Sequence, residues 1–138
     1  VREVLLPPYA SGFLALVAMD SPRPGEARSV AIAALHSHVN ISVVVVVDSD
    51  VDIFNPAEVL WAVSTRVRWE RDISVIAGTL GNELHPSADA DGVISKVIVD
   101  ATLAPELRAS YSKVVYPTLN LAALLAAQPP KPAVNWAA

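Results

Sequence analysis

No cysteine occurs among the 138 residues. A disulfide framework and thiol chemistry are therefore excluded, and a cytoplasmic location is the expectation. Charge is sparse: 17% of residues are Asp, Glu, Lys or Arg, and the net charge is −4. With a pI near 5.2, the chain carries no basic footprint for nucleic acid. The valine run Val43–Val47 is far too short to span a membrane, and no secretory signal pattern is visible. Nucleophile-elbow, dinucleotide-binding and P-loop motifs are all missing. The sequence thus holds no self-contained catalytic constellation.

What is present is apolar. Hydrophobic residues make up 53% of the chain and the mean hydropathy is +0.42. For a chain of this length, that implies either a well-buried sheet or an apolar surface that meets a partner. One domain is expected over 1–127, with a proline-rich tail over 128–138. Val1 rather than Met opens the chain, as expected of a fragment or a processed chain.

The organising stretch is Val43–Asp72. Five consecutive valines are stiff at χ1 and suit a strand buried on both faces. Asn55-Pro56-Ala57-Glu58 reads as a helix start: Asn55 caps, Pro56 fits the first position and Glu58 reaches back as in a capping box. Val59, Leu60, Val63 and Val67 follow at helical spacing, and Arg66 and Arg68 suit the helix C-terminus. Ile73–Ala77 then reads as a strand, closing a βαβ unit. Upstream, Arg2–Leu6 and Phe13–Met19 read as strands. Ala27, Val30, Ala31, Ala34 and Leu35 form one face of a helix from Glu26 to His36. Downstream, Gly78–Asn82 reads as a glycine-containing loop and 85–92 as a polar loop. Val97–Val99 forms a strand flanked by Lys96 and Asp100, and Ala104–Tyr116 is mostly loop. Leu119–Ala126 is an oily short helix that needs burial, in this chain or against another. Trp136 is a candidate docking residue in the tail. The fold class is α/β: a mixed, mainly parallel sheet with βαβ crossovers, a short C-terminal helix and the tail.

Two patterns in the sequence resemble metal motifs. Asp48, Asp50 and Asp52 open like a calcium loop, but Ile53 and Val59 stand where that motif needs Gly and Glu. Local turn bonds in a solvated loop explain these aspartates more simply. His36 and His38 form an H-x-H pair with His85 as a third candidate ligand. The alternative is a polar helix end favoured by the helix dipole. The expectation is that no metal ligand lies in this chain.

Blocks of this sequence resemble, in order, the C-terminal portion of the UbiD family of prenylated-FMN-dependent decarboxylases. They are Leu5–Pro8 with Phe13–Val17, Pro24–Ala27 with Ala31–Leu35, and Val46–Phe54 with Glu58–Arg66. Arg71-Asp72, the Gly78/Gly81 loop and Ser95–Thr102 complete the set. The resemblance covers roughly residues 1 to 105, as an ordered set of motifs rather than one short match. It implies a part of a carboxy-lyase acting on aromatic or α,β-unsaturated acids, with prenylated FMN, Mn²⁺ and often K⁺. The catalytic Arg-Glu-Glu network and the metal ligands belong to the family's preceding domain. A chain of this extent is therefore expected to be inactive alone and to need that portion or a large subunit in a homo- or hetero-oligomer. Lys96 is the one residue carried over, as a cofactor contact. Two departures stand out: Ser49 where an acid is common and His85 where Asp is frequent. The alternative reading is a non-catalytic oligomerisation or accessory module of the same ancestry; a small nucleotide-binding α/β domain ranks third.

Overall fold

The computed structural model describes residues 1–108, 110–111, 114 and 120–126. Among these residues, five strands form one open mixed sheet: β1 (Glu3–Leu5), β2 (Leu14–Met19), β3 (Val43–Asp48), β4 (Ile73–Leu80) and β5 (Val93–Ala101), in the order β1-β2-β3-β5-β4. The three central strands are parallel, with Leu14 opposite Val43 and Val43 opposite Val97. Both edge strands run antiparallel to their neighbours. The valine run is central, and Val44 to Val47 are buried, as a continuous apolar run in a sheet covered on both faces requires.

Helix α1 (Glu26–Ser37) covers one face and α2 (Pro56–Arg66) the other. Ala27, Ala31 and Leu35 of α1 pack on Ala15, Val17, Val44, Val46 and Ile98. Val59 and Ala62 of α2 pack on Leu16, Ala18, Val45, Val47, Val99 and Ala101. The alternation of β-strand side chains sends these two sets to opposite faces. On the α2 face, Leu14, Val43 and Val97, toward the amino ends of the parallel strands, are only partly buried.

The start of α2 follows its sequence signature in part. The Asn55 side chain accepts from the Ala57 amide at 3.1 Å. Glu58 reaches further back than a capping box, to the Asp52 amide at 2.9 Å, because the Asn55 amide already bonds the Asp52 carbonyl. Leu60 points outward, and the buried stripe is Val59, Ala62 and Arg66.

At β4 the structure departs from the expected βαβ unit. This strand is antiparallel to β5, so Val43–Ala77 does not close as a parallel unit; β2-α1-β3 does. Gly78 belongs to the strand, not to a loop: it has φ +70° and sits where the β4–β5 register shifts between Ile76 and Thr79. A glycine with positive φ is what a bulge of this kind uses. Gly81 follows the strand, and a Cβ there would lie 2.7 Å from Ile94 Cδ1 and Cγ1, so close approach requires glycine.

After β5, a 3-10 turn spans Pro105–Leu107 and α3 covers Leu121–Ala126. Leu124 on α3 is 51% exposed, so burial within this chain is not found at that leucine. Leu119 and the 128–138 tail with Trp136 lie outside the described residues.

Candidate functional site

Lys96 sits inside β5, opposite Ile76 of β4, on the face covered by α1. The strand positions Ile94, Lys96 and Ile98 alternate onto that face, and all three are buried. Lys96 is 4% exposed. The sequence reading had Lys96 and Asp100 flanking a strand over Val97–Val99; the strand is longer, Val93–Ala101, and Lys96 lies inside it. Val97, the next residue, pairs with Val43 at the start of β3, so Lys96 lies at the amino ends of the parallel strands. Its Nζ donates to the carbonyls of Leu35 and Val39, both at 3.4 Å, at the C-terminus of α1. A cation is favourable against those carbonyls, but both bonds are longer than the usual N–H···O range.

An ammonium has three donors, and among the described residues two carbonyls receive them. Among the described residues, no carboxylate forms an ion pair with Lys96. Burial accordingly pushes the Lys96 ammonium below its usual pKa, since desolvation disfavours the charged form. Beside it lies a cavity of about 350 Å³ lined by His36, His38, Val39, Thr79, Leu80 and Lys96. A buried, under-compensated cation next to such a space suits an anionic or electron-rich group of a ligand. In that respect the residues present fit a flavin nucleotide.

The histidines are not gathered as metal ligands. His36 Nδ1 pairs with the Ile32 carbonyl at 2.9 Å, and His38 Nδ1 accepts from the Asn40 amide. His85 is held by Ser42 and Ser87 at 3.1 and 2.8 Å and meets Phe13 edge-on, centroids 4.4 Å apart. Among the described residues, no group of three His or acidic side chains could hold a metal ion.

A second cluster lies at the carboxyl end of β3. Arg66 is bonded to Asp48 at 3.2 Å and to Asp50 at 2.9 and 2.6 Å, with its guanidinium 4.9 Å from the Trp61 ring centroid. Asp48 also receives the Leu103 amide at 2.6 Å and Arg108 at 3.4 Å. Burial lifts the Asp48 carboxyl above its usual pKa; the Leu103 amide, Arg108 and Arg66 pull it back, while Asp50 adds to the lift. Local turn bonding describes Asp52, which accepts from the Phe54 amide, whereas Asp48 and Asp50 hold Arg66. Asp100 caps the chain after β5 by accepting from the Thr102 amide and hydroxyl. Sequence reasoning missed Arg66 and Arg108. The available signal for Arg66 was its place on the buried α2 stripe, four and seven residues from Ala62 and Val59, with an aspartate-rich strand end upstream.

The fold and these clusters define a three-layer α/β domain with a buried lysine at the amino end of its sheet. More particularly, the chain belongs to the 3-octaprenyl-4-hydroxybenzoate carboxy-lyase C-terminal domain family, the UbiD family, whose model matches residues 1–101. It is 37% identical over 103 residues to anhydromevalonate phosphate decarboxylase of Aeropyrum pernix, covering 74% of this chain and 23% of that protein. It is 36% identical over 110 residues to phenolic acid decarboxylase of Bacillus subtilis, covering 76% and 23%. Its structure is similar to the UbiD-class enzyme HmfF of Pelotomaculum thermopropionicum in complex with FMN: TM-score 0.78, 35% identity, 91% of this chain and 28% of that one. An evolved dimeric form of HmfF, in complex with prFMN, gives a TM-score of 0.66 at 28% identity, covering 87% and 25%. The chain thus spans about a quarter of the length of the relatives it matches. Among the described residues, no helix is long and apolar enough to cross a membrane.

Proposed function

We propose that this chain is the C-terminal domain or small subunit of a UbiD-like (de)carboxylase acting on aromatic or α,β-unsaturated carboxylic acids. In this reading it works in the cytoplasm with the catalytic portion of the enzyme, in a homo- or hetero-oligomer. Residues 1–127 form its single domain and 128–138 its tail. Prenylated FMN, when bound, supplies the chemistry that labilises the carboxylate, and the protein orients it. Mn²⁺ and K⁺ belong to the complete enzyme, on ligands outside this chain.

The observation that carries the reading is Lys96, added to family membership. Its ammonium is buried, has no carboxylate partner among the described residues and borders a cavity of about 350 Å³. Lys96 would present positive charge to the cofactor and exclude water from its edge. The bonds from Lys96 to the Leu35 and Val39 carbonyls support a second reading, in which the lysine only caps α1 and the domain is a non-catalytic assembly module. The test is to produce this chain with the catalytic portion from the same source and to measure CO₂ release from a panel of aromatic acids, with and without the chain. Release that requires the chain supports the enzyme-part reading. Equal release by the catalytic portion alone reduces the chain to an accessory.

A further inference from the structure

The two edges of the sheet differ in kind. β1 is short, is preceded by Arg2, contains Glu3 and is followed by Pro7-Pro8. Charge, proline and brevity are how an edge avoids unwanted pairing. β4 runs eight residues, Ile-Ser-Val-Ile-Ala-Gly-Thr-Leu, with neither charge nor proline. The bulge at Gly78 is its sole irregularity. An edge this long and neutral is a pairing liability unless something covers it.

Among the described residues, no helix covers the face beside that edge either. Leu14, Val43, Val97 and Val75 stand opposite one another across four strands, giving one continuous apolar row. They share the α2 face, but α2 rests on the rows nearer the strands' carboxyl ends. Leu14, Val43 and Val97 stay partly buried, and Val75 is 64% exposed. Neighbouring Ala77 and Ser95 on this face are exposed and uncharged.

We infer that the Leu14–Val43–Val97–Val75 row and the β4 edge form the seat for an uncharged, apolar segment of the catalytic portion. The inference rests on the reading of this chain as part of a larger enzyme. The relatives carry about three quarters of their length outside the matched region, and that length is the source of the occupant. A charged partner would lose hydration here without gaining an ion pair, which selects an apolar one.

The test is hydrogen–deuterium exchange of residues 73–80 in the 138-residue chain, alone and bound to the catalytic portion from the same source, for wild type and Val75→Glu. Val75 is exposed, so the variant keeps the melting temperature of the isolated chain. The expected result is slower exchange over 73–80 on binding, and affinity lowered at least about tenfold by the buried unpaired carboxylate. Binding without protection of 73–80, and unaffected by Val75→Glu, overturns the inference while leaving the enzyme-part reading in place. No binding of the wild type under any condition removes that reading itself. Concentration-dependent self-association of the isolated chain, with 73–80 protected and the variant monomeric, replaces the proposed occupant with a second copy and overturns the inference.

Discussion

Arg66 grips Asp50 with two parallel hydrogen bonds, Nη1 to Oδ1 at 2.9 Å and Nη2 to Oδ2 at 2.6 Å, while the same guanidinium reaches Asp48. The fork geometry of arginine makes this pairing specific. It ties the end of α2 to the end of β3. Through Asp48 it also ties in the Leu103 amide and Arg108, so four segments meet at one carboxylate.

Breaking this cluster on one side should be severe. Asp48→Ala leaves a guanidinium that is 3% exposed short of a partner, and the expected loss is about 3–5 kcal/mol. Asp50→Ala should cost less, because Asp50 is 44% exposed. The double variant Asp48→Leu/Arg66→Met should be more stable than either Asp48→Ala or Arg66→Ala, since both members of the buried pair go and the charges that lose a partner, Arg108 and Asp50, are partly exposed. Urea denaturation of the set decides it; additive losses would show that Arg66 and Asp48 do not act as a pair.

Lys96 predicts the opposite sign. Its pKa in the folded chain lies below the ordinary value of 10.5. Between those two values the unfolded chain holds the proton and the folded chain does not, so stability rises with pH across that window. Lys96→Met should therefore raise the denaturation midpoint at neutral pH and flatten the rise toward pH 10. A lower midpoint in the variant would mean that capping the Leu35 and Val39 carbonyls outweighs desolvation, and would favour the purely structural role.

Gly81 and Gly78 separate two reasons for glycine. Gly81→Ala drives a methyl against Ile94, an overpacking loss of about 1–3 kcal/mol, and Ile94→Ala should offset part of it in a double-mutant cycle. Gly78→Ala meets no neighbour within 4 Å and should lose about 1 kcal/mol through its positive φ alone, with no rescue from Ile94→Ala. Equal behaviour of the two variants in thermal melts would contradict this division.

Asn55→Ala removes the side-chain bond to the Ala57 amide and should cost about 1 kcal/mol. Asn55→Asp should retain the stability, since a carboxylate accepts the same bond and suits the helix N-terminus. Denaturation midpoints for the two variants check this.

These residues also show what could be read from the chain beforehand. Val43–Val47 and Asn55-Pro56 declare a strand and a helix start through local stiffness and capping chemistry, so both elements were legible. The direction of β4 was not. Ile73–Ala77 has the same apolar character whether it pairs parallel or antiparallel, and direction is set by how α2 and the 81–92 connection return the chain to β5. Arg66 was read as a charge favoured by the helix end, because a charged residue is expected outside; its place on the stripe with Val59 and Ala62 argued otherwise. Lys96 was read as a strand-end residue, yet its alternation with Ile94 and Ile98 already placed it on a covered face. The family blocks were legible as an ordered set. A contact between Lys96 and a cofactor is a relation to something outside the chain, which no internal pattern encodes.

The most direct measurement is the flavin content of the assembly purified through a tag on this chain, produced with the catalytic portion from the same source. Wild type, Lys96→Ala and Lys96→Arg would be compared by absorption spectrum per mole of complex. The account predicts a flavin spectrum in the wild type, its loss or marked weakening in Lys96→Ala, and partial recovery in Lys96→Arg, with the complex intact in all three. An intact complex with the same flavin content in wild type and Lys96→Ala would contradict it, and Lys96 would then be a cap on α1 and nothing more.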